Sequence, residues 1–164
     1  MNDEVDTDIS FSEIIIGDEE IDNINIIKQY LTQNINNSNK INIEFLDYHE
    51  LSSEGSEFFV VRDKEDSLEY LNVRIFGTMG QISHEYIFTD VFIIYSLVEI
   101  IYSEPFYINP QEVPIYRVNN HRYIIFNGNV YNFIGEDKNI LSDIDRQNYI
   151  IEQLISFIEI INTN

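Results

Sequence analysis

Apolar positions along the chain follow two rhythms, one helical and one alternating. Ile24, Ile27, Leu31 and Ile35 recur at helical spacing, and Asp18 with Glu19 and Glu20 supplies an N-cap and a negative first turn, which predicts a helix over about 18–35. Asn34 to Asn39 reads as a loop, because asparagine and serine side chains compete with helical backbone bonds. Ile41 to Leu46 alternates as a short strand, and the polar stretch Asp47 to Ser56 follows as a surface loop. Glu57 to Asp63 and Glu69 to Phe76, separated by Lys64 to Leu68, predict a hairpin. Its second strand sets Leu71, Val73 and Ile75 against Tyr70, Asn72 and Arg74, so one face is wet. Gly77-Thr78-Met79-Gly80 turns the chain into a further strand, Ile82 to Phe88.

Thr89 or Asp90 can cap the next element. Val91, Ile94, Val98 and Ile101 fit a helix that is apolar nearly all round and buried against the sheet, with a strand as the alternative for so short an apolar run. Pro105, Pro110 and Pro114 punctuate a loop. Ile115–Val118, Arg122–Phe126 and Val130–Ile134 then predict a three-stranded meander, turned at Asn119-Asn120 and at Asn127-Gly128-Asn129. Asn-Gly between apolar runs is the strongest of these hairpin signals, since a type I′ turn needs positive φ at both central residues. Ser142-Asp143-Ile144-Asp145 resembles a capping box and opens a last helix striped by Ile144, Ile151, Leu154, Ile155 and Ile158. The order predicts an α+β fold. We expect a single domain over 13–164, with a mainly antiparallel sheet and about three helices near 18–35, 90–103 and 142–161, behind an acidic, flexible N-terminus over 1–12.

Composition changes how much weight these patterns carry. Of 164 residues, 31 are isoleucine and 19 asparagine, and none is alanine, cysteine or tryptophan, which points to an AT-rich genome and weakens β-branched content as a strand signal. Without cysteine there are no disulfides, thiolate metal sites or thiol nucleophiles. The N-terminus is acidic where a targeting peptide would be basic or apolar, and the longest apolar stretch, Val91 to Tyr102, falls short of the roughly 20 residues that span a bilayer. A soluble, cytoplasmic protein is the expectation.

Charge narrows the function classes further. Nine Lys plus Arg against 29 Asp plus Glu leave a net charge of −20, which disfavours direct binding to nucleic acid or to an anionic membrane, because both need cations to meet phosphates. The acids are uneven. Nine fall within residues 1–27 and five (Glu44, Asp47, Glu50, Glu54, Glu57) within 41–61, whereas Val113 to Gly135 has none and carries Arg117, His121 and Arg122.

Candidate chemistry is sparse. His49, His84 and His121 are not in a metal-ligand spacing, Gly77 to Gly80 is too short for a phosphate loop, and no nucleophile-elbow or dinucleotide motif occurs, so no metal or cofactor is expected. Glu99, the lone charge in Val91–Tyr102, is either a buried partner of Arg117 or Arg122 or the solvent-facing position of its helix. Tyr48 among Asp47, Glu50, Glu54 and Glu57 combines an aromatic anchor with steering charges, and these five residues form the candidate partner-binding set. The leading expectation is a non-enzymatic acidic protein that inhibits a basic partner, a toxin or a nucleic-acid-binding enzyme. Its most concrete form is an immunity protein that neutralises a nuclease-type toxin. A phage or viral anti-defence protein that mimics nucleic acid is the second reading. A hydrolase or transferase with a site of dispersed carboxylates and histidines is the third.

Overall fold

The computed structural model of the protein describes residues 42–89, 92–134 and 137–164. Eight strands lie across one antiparallel sheet in the order in which they occur along the chain: β1 (Asn42–Tyr48), β2 (Ser56–Arg62), β3 (Leu68–Gly77), β4 (Gly80–Phe88), β5 (Ile93–Tyr102), β6 (Ile115–Phe126), β7 (Asn129–Ile134) and β8 (Asp137–Ile140). One helix, α1 (Ile144–Thr163), follows them.

Local chemistry explains the turns. Asp63 Oδ1 accepts from the Ser67 amide at 2.7 Å and closes the β2–β3 connection around Asp66, whose φ is +67°. At the β3–β4 turn a Cβ on Gly80 would stand 2.2 Å from the Ile100 carbonyl oxygen, so only glycine lets β4 lie this close to β5. Asn127 and Gly128 both have positive φ, +48° and +73°, as the Asn-Gly pattern predicts.

Helix α1 begins where Asp143 caps it, its carboxylate accepting from the Arg146 amide at 3.0 Å. Gln147 ties this first turn to the sheet, donating to the Leu141 carbonyl at 2.6 Å and accepting from the Val130 amide at 3.0 Å. Ile150, Leu154, Phe157 and Ile161 then face the sheet. The buried stripe is rotated from the expected one: Leu154 belongs to both, but Ile144 and Ile155 are exposed. Isoleucine occurs on every side of this helix, so spacing alone did not single out a face.

The face that α1 covers is the inner face. Along it Leu46, Phe58, Val73, His84, Leu97 and His121 stand opposite one another from β1 to β6, beside the parallel row Val60, Leu71, Tyr86, Tyr95 and Tyr123. The Phe157 ring lies edge-on to Phe58 at 5.7 Å, to His84 at 5.1 Å and to Tyr86 at 6.3 Å, while Tyr86 stacks on Tyr95 at 4.6 Å. On the outer face Val61, Ile87, Ile94 and Ile124 are buried in one cross-sheet row, so this end of the sheet is covered on both sides.

Several expectations are corrected here. The element expected as a helix near 90–103 is strand β5: Tyr95 and Leu97 point inward and Ile94 is buried on the outer face. A strand covered on both sides reads as a continuous apolar run and mimics an all-apolar helix. Among the described residues there is therefore one helix, not about three, and the expected helix near 18–35 and the acidic N-terminus lie outside them. Asn119-Asn120 is no turn. Strand β6 runs through both, with Asn119 donating to the Glu99 carboxylate at 3.3 Å. Glu99 is half-buried on β5, and neither Arg117 nor Arg122 forms an ion pair with it.

Because Phe157 joins the inner rows of β2 and β4, truncating it removes the central contact between helix and sheet. Phe157→Ala should lower unfolding stability by about 3–5 kcal/mol, read as a reduced urea midpoint. A loss below about 1 kcal/mol would show that α1 does not hold the inner face closed.

Candidate functional site

The outer face over β1 to β4 departs from the covered end of the sheet. Two cross-sheet rows define it: Phe45, Phe59, Asn72 and Glu85, and beside them Asp47, Glu57, Arg74 and Ser83. Together with Tyr70 they line a depression of about 690 Å³. Alternation places them there, since residues two apart on a strand share a face.

Aromatic rings form one wall. Phe45, 81% exposed, lies 4.8 Å from Phe59, which meets Tyr70 edge-on at 5.8 Å. Polar groups form the floor. Asn72 donates to the Ser83 hydroxyl at 3.1 Å and the Tyr70 hydroxyl donates to Glu85 at 3.2 Å. Burial, reinforced by the Glu85 carboxylate, pushes the Tyr70 hydroxyl well above the usual phenol range and keeps it protonated as a donor.

The charges are arranged against local stability. Asp47 and Glu57 stand directly opposite each other on neighbouring strands, both exposed, an apposition of like charges that costs a sheet roughly 0.2–1 kcal/mol. Arg74 stands opposite Glu57 on the other side without closing an ion pair. Among the described residues the pair within contact distance is Arg62 with Asp66, at 3.9 Å. An exposed ring beside two unbalanced carboxylates is suited to a cation, which gains from the ring face and from the carboxylates together.

The expected partner-binding set is divided by the fold. Asp47 and Glu57 meet on the outer face, because β1 runs to Tyr48 and the segment read as a loop from Asp47 is partly strand. Tyr48 turns inward: its ring packs edge-on against Phe58 at 6.0 Å and its hydroxyl donates to Glu50 at 2.8 Å. That carboxylate raises the Tyr48 pKa, chiefly through the hydrogen bond. Glu50 and Glu54 lie in the β1–β2 loop, where Glu54 accepts from Thr78 at 3.2 Å. The exposed aromatic beside the carboxylates is thus Phe45, whose signal was its position two residues before Asp47 in an alternating strand.

The histidines do not assemble into a site. His49 is exposed in the β1–β2 loop, His121 is exposed on β6, and His84 is buried beneath α1, with Nδ1 2.9 Å from the Tyr95 hydroxyl. Among the described residues no group of three or more His, Asp or Glu side chains is arranged to hold a metal. No helix among them is long and apolar enough to cross a membrane. No family model, no curated protein and no solved structure matches the chain.

Burial lowers the His84 pKa from 6.5 to about 4, so the folded protein keeps this imidazole neutral. Above pH 6.5 it contributes nothing to the pH dependence. Between pH 6.5 and about 4 the unfolded chain takes up a proton that the folded protein refuses, so stability falls as pH falls, by about 3 kcal/mol in all. His84→Gln should remove that part of the slope in urea unfolding between those limits. Parallel wild-type and variant profiles would contradict a buried neutral histidine.

Proposed function

We propose that the protein is a non-enzymatic acidic binding protein that inhibits a basic partner, and that the partner docks on the outer face of β1 to β4. The observation that carries this reading is the Asp47–Glu57 apposition, closed by no ion pair among the described residues, beside the exposed Phe45–Phe59 pair. A cationic side chain from the partner would neutralise both carboxylates and cover the ring, turning a local cost of the free protein into affinity for the complex. The net charge of −20 adds long-range attraction, which raises the rate of encounter with a basic surface. An immunity protein that neutralises a nuclease-type toxin is the concrete form of the proposal.

The two terms separate experimentally. Asp47→Asn with Glu57→Gln should stabilise the free protein by about 0.2–1 kcal/mol while slowing association with the partner, the slowing fading as the Debye length shrinks with added salt. Phe45→Ala should leave association nearly unchanged and raise the dissociation rate roughly thirty-fold, the equivalent of about 2 kcal/mol expected of a hot spot. Binding kinetics on a partner recovered by affinity capture from the native host provide the measurement. Unaltered association and dissociation across these variants would remove this face from the interface.

A further inference from the structure

Among the described residues, strand β6 is paired along only part of its length on the side away from β5. Toward β5 its ladder runs from Ile115 to Ile125, but β7 meets it only from Tyr123 to Phe126. Among the described strands none pairs with Ile115–Arg122 on that side, so this run of backbone donors and acceptors is used by no described strand. Burial changes at the same point: Tyr123 to Phe126 are buried, while Ile115, Tyr116 and Val118 are 57%, 75% and 54% exposed. Tyr107 and Ile108, in the loop before β6, are exposed as well. An edge that carries exposed Ile115, Tyr116 and Val118 and that no described strand pairs is a template for another strand.

We infer that this edge pairs with the same edge of a second copy of the chain, forming a twofold-symmetric dimer with a continuous sheet. Charge selects the occupant. In a chain of net charge −20, Val113 to Gly135 is free of acids, so two copies can meet here without bringing carboxylates together along the ladder. By contrast β1, at the far end of the sheet, carries Glu44 and Asp47. Charge and length together select the register, since centring on Tyr116 or Asn120 would pair only a short part of the run between Ile115 and Arg122. A strand meeting its own copy in antiparallel fashion pairs residues of equal parity, because opposed residues both direct their backbone groups into the ladder or both away from it. Centring on Arg117 would oppose two guanidiniums, and centring on Asn119 would set Arg117 against His121. Centring on Val118 sets Arg117 against Asn119, Tyr116 against Asn120 and Ile115 against His121, with the two Val118 side chains meeting on the axis and no like charges opposed.

The inference is independent of the partner reading and has the opposite salt dependence. Two strongly negative copies repel at long range, so salt should strengthen the dimer, by roughly ten-fold or more in association constant between about 0.05 M and about 0.5 M, whereas it should weaken capture of a basic partner. Sedimentation velocity on the full chain, over a roughly hundred-fold range of concentration, reads this directly. Val118→Lys and Val118→Glu should each be monomeric where the wild type is dimeric, with unchanged circular dichroism and with the melting temperature that the wild type shows when diluted to monomer. Mixed together the two variants should recover the dimer, because their new charges meet on the axis. A wild type that stays monomeric at the highest concentration and salt overturns the proposal. So does a dimer that survives both single substitutions, or a mixture of folded variants that fails to associate.

Discussion

Among the described residues a single helix closes one face of the eight-stranded sheet, and Phe157 stands at the centre of that contact. Its ring bridges Phe58 on β2 and His84 and Tyr86 on β4, so strands distant in sequence are held under one side chain. A helix of 20 residues is about 30 Å long but only about 10 Å across, whereas eight strands at about 4.8 Å spacing form a sheet about 34 Å wide. Full coverage by α1 is geometrically out of reach. Among the described residues two exposed regions of the sheet differ in kind. One, over β1 to β4 on the outer face, is aromatic and acidic. The other, along the first half of β6, sets exposed Ile115, Tyr116 and Val118 among Arg117, Asn119 and Asn120 and is free of acids.

The same economy explains His84. An imidazole beneath a helix and beside Phe157 and Tyr95 is kept neutral by its surroundings, and its ring nitrogen is satisfied by a neutral hydroxyl instead of a carboxylate. That environment belongs to a packed interior. In a catalytic base one expects access to a substrate and a second polar group that orients the ring, and here the neighbours are rings.

How much of this was legible in the sequence depended on whether a pattern had one physical cause or two. Asn127-Gly128 was readable because positive φ at both central residues leaves few alternatives, and Asp143 because a helix start needs an acceptor for its free amides. Val91–Tyr102 was not, since an apolar run arises equally from a buried helix and from a strand covered on both faces. Asn119-Asn120 misled because turn-forming residues also occur within an exposed stretch of strand. The candidate site was readable in type and not in membership. Aromatic and acidic residues near 45–57 were apparent, but the side of the sheet each occupies depends on strand parity, and extending β1 through Asp47 and Tyr48 sends the former outward and the latter inward.

The order of elements also bears on biosynthesis. In a meander every strand joins the one made just before it, so the sheet can assemble by successive local pairings as the chain emerges from the ribosome. Helix α1 follows all eight strands, so among the described residues the element that covers the apolar inner face, from Phe58 to Tyr123, is made last. Each nascent chain therefore passes through a stage with a wide sticky surface and a growing negative charge. The repulsion between such chains on one polysome holds them apart during that interval. On this view the acidity of the sequence protects synthesis as well as shaping recognition, and a variant neutralised far from any binding surface would be expected to accumulate in inclusion bodies even where its finished fold is sound.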